Sequence, residues 1–156
     1  MKMIAIVVAA VAVAACENTT NGSRASIGFS PTPAIAAQFS PQTLPIALVT
    51  TTCASGLVFT TGFDLVIVQT RPVNVFIDRV TLHLLDGTNV GGPSITFQRP
   101  QLNAMFGSTL VVGTRAFGFR PQFGCGLRRP LGIVADVVLI DAEGSGRSVS
   151  VNAAFR

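Results

Sequence analysis

The chain has 156 residues, 11 Lys plus Arg against seven Asp plus Glu, and a formal net charge of +4, with 49% hydrophobic and 12% charged residues. Its basic residues form no long run and no basic helix, which argues against nucleic acid as a partner. One histidine and three cysteines are too few for an ordinary four-ligand zinc site beside any other role, and no serine sits in a nucleophile-elbow pattern.

At the N-terminus a single charge, Lys2, precedes an apolar run from Ile4 to Ala15 and then Cys16. The run is too short for a spanning helix, which needs about 20 residues, and has the length of a signal-peptide core. Val13-Ala14-Ala15-Cys16 resembles the lipobox of bacterial lipoproteins. The resemblance implies that residues 1–15 are removed and that the thiol of Cys16 is diacylated with palmitate-type chains. It also implies a protein held at the cell envelope by its lipid. An ordinary secretory signal would share the small residues, and the cysteine separates the two readings. In lipoproteins an Asp after the cysteine can retain the protein at the inner membrane. Glu17 stands there in this chain, so the outer membrane is expected. Each buried acyl methylene contributes about 0.8 kcal/mol, so a multiply acylated cysteine anchors stably by itself.

Residues 16–34 are read as the acylated cysteine and a tether, because Glu17 to Ser26 is polar, small and without apolar periodicity. Ser30 to Pro45 carries prolines at 31, 33, 41 and 45, which excludes an internal strand and suggests irregular chain along the edge of a domain covering 35–156. Every basic residue after Lys2 is arginine, which fits either GC-rich coding or selection for bidentate contacts.

From Ile46 onward, short apolar runs alternate with turn residues and none sustains a helical period. Strands are expected at Ile46 to Thr51, Phe63 to Thr70, Val73 to Leu85, Ser94 to Phe97, Ser108 to Val112, Arg115 to Arg120, Leu131 to Asp141 and Ser148 to Phe155. In the last of these, Val149, Val151, Ala153 and Phe155 share one parity and should face inward. Leu131, Ile133, Ala135, Val137 and Leu139 make a second inward row. Between Val73 and Leu85 the apolar parity switches, from Val75 and Ile77 to Val80, Leu82 and Leu84, which calls for a bulge near Asp78-Arg79. Pro100 and Gly107 bracket the one helical segment, with proline at its start and glycine past its end.

Seven to eight short strands predict an all-β sandwich, and the architecture resembles the immunoglobulin-like fold. That resemblance is one of architecture only, since the chain has no Trp and no Tyr. With Cys16 acylated, Cys53 and Cys125 remain as an even pair in an oxidising compartment, where a disulfide is the default. Their separation is similar to that of the inter-sheet bridge of immunoglobulin-like domains, although Cys125 lies between glycines rather than in an expected strand.

The chemistry-bearing residues are sparse. His83 is read as a surface-facing strand histidine without an orienting group, and Asp64, Asp78 and Asp136 as carboxylates that pair with arginine or point outward. Asp141 and Glu143, beside Gly144 and Gly146, lack the ligand spacing of a calcium loop and read as a turn. No catalytic residue, metal or cofactor is expected. The segment Phe117 to Pro130 concentrates three Phe, three Arg and Cys125, with the phenylalanines suited to the core and Arg120, Arg128 and Arg129 to contacts with a partner. The expected role is a non-catalytic, lipid-anchored binding or structural module contacting another envelope protein or a surface glycan. The alternative is an envelope enzyme or protease inhibitor centred on the Arg-rich loop or on His83.

Overall fold

The computed structural model describes residues 35–53, 56–70, 73–85, 91–126 and 129–156. The expected signal peptide and tether, Cys16 and Arg128 lie outside the described residues. In chain order the elements are β1 (Ile35–Ser40), β2 (Thr43–Leu44), β3 (Ile46–Cys53), β4 (Gly56–Thr61), β5 (Phe63–Gln69), β6 (Val75–Leu85) and β7 (Gly91–Gln98). Then follow α1 (Arg99–Phe106), β8 (Leu110–Val111), β9 (Thr114–Phe119), β10 (Gln122–Gly126), β11 (Gly132–Asp141) and β12 (Gly146–Phe155).

The fold is an all-β sandwich. One layer consists of two three-stranded antiparallel sheets, β1-β5-β9 and β10-β4-β3. Gly62 alone separates β4 from β5, and Arg120-Pro121 separates β9 from β10, so the two sheets run end to end as one bent layer. The Thr61 amide donates to the Pro121 carbonyl across the break. The other layer is the sheet β2-β12-β11-β6-β7, with β8 pairing the start of β6. Strand β11 is central in it, between β12 and β6.

Side-chain alternation builds the core between these layers. Leu65, Ile67, Phe117 and Phe119 from the first meet Ile77, Val80, Leu82, Ile133, Val137 and Leu139 from the second. Phe119 is the aromatic hub, its ring centroid 5.7 Å from Phe63, 5.4 Å from Phe97 and 5.3 Å from Phe106. The parity switch in β6 has the expected cause. Val138 pairs with Arg79 and Leu139 with Ile77, so Asp78 is the extra residue of a bulge, and Val75, Ile77, Val80, Leu82 and Leu84 all face the core.

The bulge also frees Asp78 to meet α1, where its Oδ1 lies 3.1 Å from Nη2 of Arg99. At the start of that helix the Gln98 amide donates to Oε1 of Gln101, and at its end Gly107 adopts φ 73° and donates to Asn103. Arg115 fastens the helix end, donating to the carbonyls of Phe106 and Leu110 while lying over the Phe117 ring.

Four expectations are corrected. Twelve strands are present among the described residues rather than seven or eight, partly because the first layer is broken at Gly62 and Arg120-Pro121 into shorter pieces. Residues 35–40 form the edge strand β1 instead of irregular chain; the prolines flank the strand without entering it. Cys125 lies in β10 rather than outside a strand. Leu131 precedes β11 and is exposed, so the inward row starts at Ile133.

Candidate functional site

The solvent face of the second sheet carries the polar cluster with most chemistry. Thr81 of β6, Asp136 of β11 and Ser150 of β12 face each other in one row, and His83, Val134 and Asn152 form the next. His83 is therefore a diagonal neighbour of Asp136, within reach of a long side chain. Its Nε2 stands 3.1 Å from Oδ2 of Asp136. The Ser150 hydroxyl donates to the other oxygen, Oδ1. On the far side of Thr81, its hydroxyl and that of Thr96 lie 3.2 Å apart. The bulge at Asp78 is what turns Thr81 and His83 outward while their neighbours fill the core.

This geometry corrects the reading of His83 as a histidine without an orienting group, because Asp136 holds its ring. The order of the contacts limits what the group can do. The carboxylate is in the middle and takes both the imidazole and the hydroxyl, so Ser150 is hydrogen-bonded to the acid and not to the base that would have to accept its proton. The pair is also wet, with side-chain exposures of 35% for His83 and 41% for Asp136, so the attraction is screened by water. Among the described residues no group of three or more His, Cys, Asp or Glu side chains is placed to hold a metal ion.

The remaining carboxylates follow the sequence reading. Asp78 pairs with Arg99, Asp64 is exposed, and Oδ1 of Asp141 accepts the Ser145 amide in the turn that Gly144 completes at φ 84°.

The Arg-rich segment is divided between core and surface. Phe117, Phe119 and Phe123 are buried. Arg120 stays exposed, but its Nη1 donates to the Phe119 carbonyl at 2.8 Å and to the Phe63 carbonyl at 3.4 Å. Its stem lies over Gly62, where a β-carbon would come within 2.9 Å of Cδ. Arg120 thus closes the break in the first layer, a role its sequence position did not signal. Arg129 is exposed, and Arg128 lies outside the described residues.

The side chains of Cys53 and Cys125 likewise lie outside the described residues, but their backbone positions are informative. Cys53 pairs with Gly56 at the end of the β3–β4 hairpin, and Cys125 precedes Gly126, which pairs with Leu57. Both therefore sit at one end of the same sheet, on the strands flanking β4, and the likeness to an inter-sheet bridge does not hold. Alternate strands of a regular sheet are about 9.5 Å apart, beyond the ~4.4–6.8 Å span of a disulfide. Both pairings carry register shifts at this end, between Val49 and Cys53 and between Phe123 and Gly126.

Sequence reasoning missed Asp136 as the partner of His83 and Ser150 as the second partner of Asp136. Their outward parity was visible, but their meeting depends on the register of β6, β11 and β12.

No family model matches the chain, and no curated protein matches it. Among solved structures, an X-ray structure of a structural genomics target is similar at a TM-score of 0.50 and 5% identity, covering 77% of this chain and 86% of that one. A Bordetella pertussis protein carrying the provisional name ApaA aligns at a TM-score of 0.49 and 11% identity, over 79% of this chain and 94% of that one. The first likeness concerns the fold alone. Among the described residues no helix is long and apolar enough to cross a membrane.

Proposed function

We propose that the chain is a lipid-anchored envelope protein and that its sandwich is a non-catalytic binding or structural module. The anchor reading rests on the likeness of Val13-Ala14-Ala15-Cys16 to a lipobox, with Glu17 after it favouring the outer membrane. The observation that carries the non-catalytic reading is the Ser150 bond to Asp136. A hydroxyl bound to the carboxylate, on an open sheet face, lacks the base that would activate it.

The partner would be another envelope protein or a surface glycan, met through Arg128 and Arg129 between β10 and β11. Arginine side chains can make charge-assisted, bidentate bonds to a partner's carboxylates, and Arg129 is exposed. An enzyme or inhibitor is the second reading, and the His83–Asp136 contact is the feature that favours it. Recovery of partners from envelope extract separates the two. Arg128→Ala with Arg129→Ala should reduce recovery while His83→Ala leaves it unchanged, at equal expression and equal fold. The reverse pattern would favour the second reading.

A further inference from the structure

Strand β3 is the outer strand of the β10-β4-β3 sheet. Open edges invite pairing, and proteins blunt them with charges, prolines or cover. The other long edges here have such a device. Strands β1 and β12 pack on each other, as do β10 and β7, while β7 contains Pro93 and β9 carries Arg115. Strand β3, with the sequence IALVTTTC over eight residues, has no charge and no proline, and no described segment covers its outer edge.

A second observation concerns one row of side chains. Leu48 pairs with Phe59, and Phe59 pairs with Phe123. Phe123 is 1% exposed and Phe59 4%, whereas Leu48 is 56% exposed. The row starts in the core, crosses the sheet and is cut off at its edge. It needs an apolar neighbour in the next strand position.

We propose that β3 pairs antiparallel with β3 of a second copy of this chain, with Leu48 opposite its own counterpart. A two-fold axis normal to the sheet through that pair keeps both copies on the same face. The cut row then continues as Phe123, Phe59 and Leu48 followed by the same three residues in reverse. A one-residue slip would turn the second copy over and set Leu48 against a residue of the opposite parity. The second copy is the occupant because its own Leu48 supplies the apolar neighbour that the row lacks, on the same face and in register. An uncharged strand paired with itself also sets no like charges face to face. The contact is small. One strand pair buries less than the ~1,200 Å² of a standard stable interface, so the dimer is weak and depends on concentration.

Cysteine substitution reads the register directly. Facing residues of an antiparallel pair have Cα atoms about 4.5–5.5 Å apart, inside the disulfide range of ~4.4–6.8 Å. Ile46 would instead face residue 50 of the second copy, leaving the two Ile46 positions about 13 Å apart. The full chain carrying Leu48→Cys should therefore form a 48–48 linked dimer on mild oxidation, assigned by peptide mass spectrometry. Ile46→Cys and Met105→Cys, the latter at an exposed position on α1, should not. Leu48→Lys should abolish concentration-dependent dimer in sedimentation equilibrium without lowering the melting temperature, because the side chain is exposed in the monomer. A 48–48 yield no greater than the 105–105 yield would overturn the proposal, as would a wild-type chain that stays monomeric at all concentrations. Such results would mean that β3 is covered by residues 17–34 of the same chain, by a different protein, or by solvent.

Discussion

Nε2 of His83 and Oδ2 of Asp136 lie 3.1 Å apart although the two residues are not register partners: His83 faces Val134 and Asp136 faces Thr81. The contact is a diagonal one on a solvated sheet face, where desolvation is slight and the Coulombic gain is correspondingly small. A double-mutant cycle with His83→Ala and Asp136→Ala, read by urea denaturation, should give a coupling of about 0.2–1 kcal/mol. A coupling several times larger would mean that the pair is shielded from water by something that covers this face.

Backbone approach at the start of β11 sets a stricter demand. Gly132 pairs with both Leu85 and Ala154, and a β-carbon there would stand 2.5 Å from the Ala153 carbonyl oxygen. Because the obstacle is backbone in a central strand, relief requires the sheet to shift. Gly132→Ala should cost about 1–3 kcal/mol. Gly124→Ala, where a β-carbon meets nothing within 4 Å, should stay within about 1 kcal/mol of wild type. Equal thermal melts for the two variants would contradict the packing described for β11.

Much of the fold was legible because it is written in side-chain parity. Strand β12 and most of β11 alternate cleanly, and the switch between Ile77 and Val80 announced the bulge at Asp78. The helix was legible from Pro100 and Gly107. What escaped was local signal masked by its neighbours. Ile35, Ala37 and Phe39 carry the inward parity of β1 but lie among prolines, and β4 and β10 are bounded by glycines that read as turns. The candidate site was less legible than the fold. Neither the meeting of His83 with Asp136 nor the placing of Arg120 over Gly62 follows from local pattern, since each depends on pairing between strands distant in sequence.

The cysteines offer a test of chemistry that parity cannot address. Cys53 and Cys125 end up on the two strands flanking β4, at one end of one sheet. An oxidised pair would need those strands to close around the end of β4, where Gly56 offers no side chain. The register shifts beside both cysteines break the regular ~9.5 Å spacing of alternate strands. It is on oxidation drawing the strands together at that irregular end that we expect no free thiol in the mature protein and a substantially lower melting temperature for Cys53→Ala. A bridge over so long a loop restricts the unfolded state by roughly 4–5 kcal/mol in the chain-entropy model, less any strain. Labelling of both thiols in the unreduced native protein would contradict this.

The most direct test of the proposed role is the covalent state of Cys16. Intact-mass analysis of the protein from membrane and soluble fractions, for wild type and for Cys16→Ser, measures processing and anchoring together. The account predicts a wild-type chain that begins at Cys16, carries acyl chains and partitions with the membrane. It predicts an unacylated Cys16→Ser variant in the soluble exported or precursor pool. A wild-type protein without acyl chains, or one recovered in the soluble fraction, would contradict it.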